Sequence, residues 1–284
     1  LLSSHSRRIL SGAGGLAFSP NRSAYWLALE VLRQEMADEG LANEVCGETA
    51  YLSDFTEPRL APWGGYDLLY KLVQRIPDEI ALSAIKERYD LPHFAEVFET
   101  YFGHLEPAQQ PTAINLRGPL VFGLAESERA RVFPDLLREG AWAAAGRLMT
   151  CGHQGDRVMD ANGEPFAAEL NEKTLENHRL RQTPVYEIPG AYGASSPALD
   201  ALTDEALRAG ALGACLTGAG IAGSVLALCA AEQADVVAEH MRQYVSSAAY
   251  TRWAGFSAPL SREAAEEAVV TNVSVAGASW IRGE

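Results

Sequence analysis

The sequence predicts an α+β fold: a mainly antiparallel sheet covered by helices and extended by a helical insertion. Three observations predict it. Apolar runs flank Thr217 to Gly223, Ala-Leu-Gly-Ala-Cys-Leu before and Ser-Val-Leu-Ala-Leu-Cys after, and read as two short buried strands joined by a glycine-rich turn. Several stretches carry apolar residues at helical spacing, among them Asn21 to Glu39 and Phe94 to Phe102. Thr271 to Ile281 alternates as an antiparallel strand does.

The 284 residues, 48% of them hydrophobic, suffice for one large or two modest domains with a substantial core. We divide the chain into residues 1–115 and 116–284. The formal charge of −14 argues against a nucleic-acid partner, because a polyanionic backbone would be repelled. A nucleotide needs only one local electropositive loop and is not excluded by that charge. Cys46, Cys151, Cys215 and Cys229 show no metal-ligand spacing and read as reduced, consistent with cytoplasm.

Taken in order, Leu1 to Ile9 reads as a short strand ending at Arg7-Arg8. Ser11-Gly-Ala-Gly-Gly15 reads as a flexible linker, since it lacks the Lys-Ser/Thr of a nucleotide-binding phosphate loop. The first helix is expected from Asn21 to about Glu39, with Pro20 and Asn21 at its start and Gly40 at its stop. Residues 41–65 are irregular, with turns at Pro58, Pro62 and Gly64-Gly65. Tyr66 to Val73 is a short apolar helix, and Ile76-Pro77-Asp78 is expected to begin another. In the helix from Phe94 to Phe102, aromatics at helical spacing read as core. His93 and His104 flank it and read as solvated or hydrogen-bonding residues.

Leu116 begins a helix reaching about Glu139, on which Glu126 and Arg129 read as a surface ion pair. Trp142 to His153 is the next helix, and Gln154 to Gly190 a long polar loop with at most a short helix. A helical stretch ending near Gly210 precedes the glycine turn. Asp235 to Tyr244 and Arg262 to Ala268 follow it as helices.

The turn carries glycines at 218, 220 and 223 and no charge. Glycine permits positive φ and lets a ligand come close to the main chain. Ala209 to Ala231 is uncharged over a length that would span a bilayer, but its glycines, Thr217 and Ser224 dilute the hydrophobicity and no basic cluster flanks it. A membrane partner is therefore not expected. A tight structural hairpin without a ligand is the plain alternative.

Context separates these readings. Tyr192-Gly-Ala-Ser-Ser-Pro-Ala-Leu-Asp200, a helix, and then Leu216-Thr217-Gly218-Ala219-Gly220 with Gly223 resembles the C-terminal part of the GHMP kinases, and within them the galactokinases. The galactokinase pattern is Tyr-x-x-Ser-x-Pro-x-Leu-Asp, then Leu/Met-Thr-Gly-Ala-Gly-Phe-Gly-Gly-Cys. Ile221, Ala222 and Ser224 depart from it, and Ala222 places a β-carbon where the family has none. Arg117, Glu126 and Arg129, and then Gly146, Leu148, Met149 and His153, match two helices of that family, with His153 in a structural role. Ser3 to Arg7 and Phe18 to Arg22 fall where galactokinases have a strand and a Tyr-x-x-Arg-Arg segment, with Phe18 in place of the tyrosine. Residues 66–105 have no counterpart and look like a subgroup insertion.

The resemblance implies that residues 116–284 form a GHMP-kinase C-terminal-like domain of a kinase that moves the γ-phosphate of ATP, with Mg2+, to a monosaccharide, at its anomeric hydroxyl. Thr217, Gly218, Ala219, Gly220, Gly223 and Ser224 would then lie near the nucleotide phosphates, and Arg7 and Phe18 near the sugar. The family's phosphate loop and catalytic aspartate have no match here, and Asp54, Asp67 and Asp156 fit none of its motifs. No catalytic residue is assigned in this chain. The expected partner is an N-terminal kinase half, in the same precursor or as a separate chain. The competing expectation is a non-catalytic relative that binds a sugar or a partner.

Overall fold

The computed structural model describes residues 1–6, 13–41 and 51–272, with the side chains of residues 13–19 outside that description. Helices dominate, and two small antiparallel sheets complete the α+β architecture. Strand β1 (Leu2–Ser3) precedes helix α1 (Ala13–Asp38). After the short helix α2 (Glu57–Leu60) and helix α3 (Tyr66–Arg75) comes strand β2 (Glu79–Ala81), which leads into α4 (Leu82–Arg88) and α5 (Phe94–Phe102). Strand β3 (Ala113–Asn115) pairs with β2, Ile80 opposite Ile114, and opens into the long helix α6 (Arg117–Arg138).

Helices α7 (Trp142–Asp156), α8 (Glu172–Arg181) and α9 (Pro197–Arg208) follow. Then comes the predicted hairpin, β4 (Gly213–Thr217) and β5 (Ser224–Leu228), and after it α10 (Ala234–Val245), α11 (Ala248–Ala254) and α12 (Arg262–Ala268). The main sheet has the order β1-β5-β4, with Leu2 opposite Val225 and Cys215 opposite Leu226. No described helix is long and apolar enough to cross a membrane.

Two apolar clusters hold these elements. One gathers Leu27, Val31, Leu32 and Met36 of α1 with Leu69 and Leu72 of α3, Ile85, Phe102, and Leu120 and Leu124 of α6. The other packs Leu199 and Leu202 of α9, Val225 of β5, Met241 and Val245 of α10 and Tyr250 against Leu2 and Val269. Full burial of one such side chain is worth about 1.5–3 kcal/mol. The aromatic stripe of α5 does pack as core, with Phe98 and Phe102 edge to face at 5.6 Å.

Three sequence expectations are corrected. Residues 13–15 of the expected linker are helical, and α1 runs through Pro20 instead of starting there. Proline lacks the N–H for one helical bond, which is why it reads as a boundary. Here the buried face of α1 from Ala24 to Met36 outweighs that loss, and Ser23 Oγ donates to the Pro20 carbonyl at 2.8 Å.

Ile76-Pro77-Asp78 does not begin a helix but leads into β2. The backbone there is committed to tertiary bonds: Arg117 takes the carbonyls of Ile76, Gln74 and Leu170, and the Leu116 N–H bonds the Asp78 carbonyl at 2.8 Å. Arg129, expected on a surface, is 5% exposed. It binds Glu126 at 2.7 Å and the carbonyls of Tyr186 and Ile188, each at 2.9 Å, which ties α6 to the segment before residue 190.

Helix α11 has no counterpart among the sequence expectations. Its signals are present, since the Ser247 side chain caps its start and Gly255, at φ 67°, ends it. The strand expected over Thr271 to Ile281 lies beyond residue 272, outside the described residues for all but its first two positions.

Candidate functional site: an exposed glycine turn on a helix-braced hairpin

The site begins with the strand that carries it. β4 lies at the edge of its sheet, where unpaired N–H groups would otherwise await a partner. Helix α7 covers that edge. Thr150 Oγ1 accepts from the Ala214 N–H at 3.3 Å, and His153 Nδ1 accepts from the Leu216 N–H at 3.3 Å. The approach is close because Gly146 meets Gly213 backbone to backbone; a β-carbon on Gly213 would stand 1.9 Å from the Gly146 carbonyl oxygen.

His153 is fully buried, and its other nitrogen, Nε2, lies 3.1 Å from Asp200 Oδ1 in a bent contact. Asp200 sits in the first turn of α9, where its Oδ2 accepts from the Val158 and Met159 N–H groups at 3.1 and 3.0 Å. One imidazole thus joins β4, α7 and α9 beneath the turn. Its structural role, expected from sequence, is the one its contacts describe.

The turn itself has two halves. Thr217, Gly218 and Ala219 are exposed, and a β-carbon on Gly218 would meet only open space. Gly220 and Ala222 are buried, Ala222 to 2% exposure. Gly223 is exposed and open, and Ser224 is half-buried opposite Ser3 in the sheet. Gly218, Gly220, Ile221 and Gly223 all have positive φ. A cavity of about 380 Å³ opens beside α9 and α11 and another of about 770 Å³ at the start of α6; neither is lined by residues 217–224.

A segment leading to α9 supports the buried half. The Ile221 N–H bonds the Ala194 carbonyl at 2.6 Å, and Ser195 N–H bonds the Asp156 carbonyl at 2.9 Å. Tyr192 and Gly193 both donate to the Gly155 carbonyl, and Asn21 Nδ2 donates to the Tyr192 carbonyl. The Tyr192 ring is sandwiched between Phe122 at 5.1 Å and Tyr25 at 4.9 Å, so α1, α6 and α7 all fix this segment. On the far side, Ser4 N–H bonds the Gly223 carbonyl at 2.8 Å, and Tyr250 Oη donates to the Ser4 carbonyl.

The electrostatics beneath the turn are unusual. Asp156 is 8% exposed, and burial, with the Glu126 carboxylate nearby, pushes its pKa up to about 7. Its Oδ1 has no hydrogen-bond partner. Burial, then Glu126 and Asp156, push the Cys215 thiol up to about 12, so this cysteine is not a nucleophile. Sequence reasoning found the turn but missed Asp156 and Ala194. A carboxylate at the end of a helix carries no local signal of burial, and a backbone carbonyl carries none at all.

Of the residues expected at the site, the structure brings Thr217, Gly218, Ala219, Gly220, Gly223 and Ser224 together on one hairpin. Arg7 lies outside the described residues, as does the side chain of Phe18 on α1. Exposed residues at 217–219 with open space at Gly218 and Gly223 leave room for a ligand to approach the main chain. Among the described residues no group of three His, Cys, Asp or Glu side chains gathers that could hold a metal ion.

Residues 132–247, from the middle of α6 to the end of α10, match the family model described as GHMP kinases C terminal. The chain is 32% identical over 127 residues to the galactokinases of Mycobacterium bovis (strain BCG / Pasteur 1173P2) and Mycobacterium tuberculosis (strain ATCC 25177 / H37Ra). That match covers 45% of this chain and 26% of each relative, so the chain spans about a quarter of the length of the curated relatives it matches. Over residues 132–247 the chain is similar to the C-terminal part of the GHMP kinases, and the relatives it resembles are galactokinases.

Proposed function

We propose that this chain supplies the C-terminal part of an ATP-dependent kinase that phosphorylates a monosaccharide at its anomeric hydroxyl. It works together with an N-terminal phosphate-loop half, in one precursor or as a second chain. The observation that carries the reading is the exposed half of the glycine turn, Thr217 to Ala219, held outward on a braced hairpin. ATP supplies the phosphoryl group when bound, and phosphoryl transfer depends on positioning and on spreading negative charge.

In this reading the chain's own residues bind and orient. Thr217, Gly218 and Ala219 face the nucleotide phosphates, Gly220 turns the chain back under them, Gly223 leaves room beside them, and Ser224 closes the turn. Arg7 and Phe18 lie toward the sugar, and Mg2+ is held by groups outside the described residues. A cytoplasmic location fits the unpaired Cys151, Cys215 and Cys229.

The non-catalytic alternative draws on Ala222 and Phe18: Ala222 is buried while residues 217–219 are exposed, and the Phe18 side chain lies outside the described residues.

Reconstitution tests the proposal. The chain is combined with a phosphate-loop half, fused or added, and ADP release is followed with Mg-ATP over galactose, arabinose and uronic acids. Sugar-dependent turnover that disappears without this chain is expected. Sugar or nucleotide binding with no turnover overturns the kinase reading in favour of a binding protein.

A further inference from the structure

We propose that the cavity between α9, α11 and the loop after α7 is a second small-molecule site, built for a neutral polyol such as a saccharide. Residues 217–224 do not line it, so it stands or falls apart from the phosphate-facing reading of the turn.

Helical spacing makes the cavity. Ala201, Asp204, Glu205 and Arg208 recur at that spacing on α9 and so share one face. Ala249, Arg252 and Trp253 repeat the device on α11, Tyr244 enters from α10, and Met159 and Asp160 from the loop after α7. Alanine at 201 and 249 leaves space between larger neighbours. About 380 Å³ is open, within the range of about 300–1,000 Å³ that small-molecule sites occupy. Tyr244 and Trp253 give it an aromatic wall, and the Arg252 guanidinium stacks on the Trp253 ring at 4.8 Å. Among the described residues no carboxylate pairs with Arg252, which leaves its N–H groups available.

Charge decides the ligand. Four carboxylates and two guanidiniums line the cavity, and each carboxylate already has partners. Asp204 takes the Arg157 guanidinium, with Nη1 at 3.0 Å. Glu205 takes Arg208 and, at 2.5 Å, His240. Asp160 Oδ1 accepts from the Asn162 and Glu164 N–H groups at 2.8 and 2.9 Å. Asp200 turns its oxygens toward His153 and the N–H groups of Val158 and Met159. A bare cation therefore finds no uncompensated carboxylate, and a bare anion meets carboxylates on α9 and on the loop. A hydroxyl suits this lining, since it accepts from Arg208 or Arg252 and donates to a lone pair that Asp204 or Glu205 keeps. The C–H face of a sugar ring packs on the aromatic wall through dispersion.

The test follows the tryptophan indole N–H signals of the full chain labelled with nitrogen-15, Trp253 being assigned by the signal lost in Trp253→Phe. Galactose and lactose are titrated, with inorganic phosphate as the bare anion and spermidine as the bare cation. Both sugars are expected to move the Trp253 signal saturably and to leave the amides of residues 217–220 in place. Trp253→Ala should weaken sugar binding roughly tenfold through loss of the aromatic wall. Arg252→Gln removes a charge but keeps N–H donors, and should hold sugar binding within about threefold. Ala249→Leu fills the cavity from an exposed position, so it should abolish the shift with an unchanged thermal midpoint, and it carries the test if Trp253→Ala does not fold. A Trp253 signal that ignores both sugars, or a shift that survives Ala249→Leu, overturns the site. Phosphate or spermidine moving that signal at lower concentration than the sugars overturns the polyol class. Neither result bears on turnover by the reconstituted kinase, so the two readings fail separately.

Discussion

Leu216 donates its backbone N–H to His153 Nδ1 at 3.3 Å, while the opposite nitrogen of that ring lies 3.1 Å from Asp200 Oδ1. Because Nδ1 accepts, the proton of the neutral ring belongs on Nε2, facing the carboxylate. A sheet edge, the helix covering it and the helix before the hairpin thus share one side chain.

His153→Ala leaves the Leu216 N–H without its acceptor. An orphaned buried N–H costs about 1–3 kcal/mol, and a loss of that size is expected. Urea unfolding measures it. Faster hydrogen exchange at the Leu216 amide, with little change in α5, places the damage on the hairpin.

Asp156 gives stability a pH dependence of definite sign. Its carboxyl is pushed up to about 7 in the folded chain against an ordinary value of 3.8, by burial first and by Glu126 second. The folded state therefore holds the proton where the unfolded state has lost it. Stability contributed by this group is complete below pH 3.8, falls as pH rises through the interval, and is lost above 7. Asp156→Asn should remove that fall and stabilise the protein at pH 8 by on the order of 4 kcal/mol. Thermal melts of both proteins between pH 5 and pH 8 check it; parallel curves would show that Asp156 ionises normally.

Two glycines of the turn should respond differently to the same change. Gly220→Ala drives a β-carbon to 1.9 Å from the Ala194 oxygen and must displace backbone, whereas Gly218→Ala meets open space. The first is expected to cost more than 3 kcal/mol, by analogy with overpacking at its upper limit, and the second about 1 kcal/mol for a left-handed alanine. Gly218→Ala should instead weaken ADP binding, since its methyl stands on the exposed face. Denaturation and ADP titration of the two variants separate these effects.

Arg117 is 7% exposed, and its guanidinium spans the carbonyls of Gln74, Ile76 and Leu170. Lysine keeps the charge but cannot reach three acceptors in one plane. Arg117→Lys is expected to lose about 2 kcal/mol and Arg117→Ala about 3 kcal/mol or more, since bonds to a charged donor are worth about 1.5–3 kcal/mol each and are not additive. Calorimetric unfolding distinguishes the two. The local sign is exchange at the amides of β2 and β3, which the 76–78 segment holds in place.

Much of this was legible in sequence wherever a signal is local. The hairpin announced itself through apolar runs around glycines, α5 and α10 through helical spacing, and α6, α7 and α9 through the family resemblance. The turn at 217–223 was readable for the same reason, since glycines so spaced mark a backbone that must turn at positive φ. Pro20 misled because its missing N–H is a local cost and the packing of α1 that overrides it is not. Ile76 to Asp78 misled because the carbonyls that keep it extended answer to an arginine 41 residues away.

The sequence by itself determined that this chain carries a glycine turn between two short strands, because composition and spacing suffice for that. Only the tertiary structure decided which half of the turn faces out. That choice depends on Ala194, His153 and Asp200 meeting across three elements, and such meetings are written in no single stretch of chain. It also decided that Ala222 and Asp156 are buried, since burial belongs to the packed molecule and not to the residue.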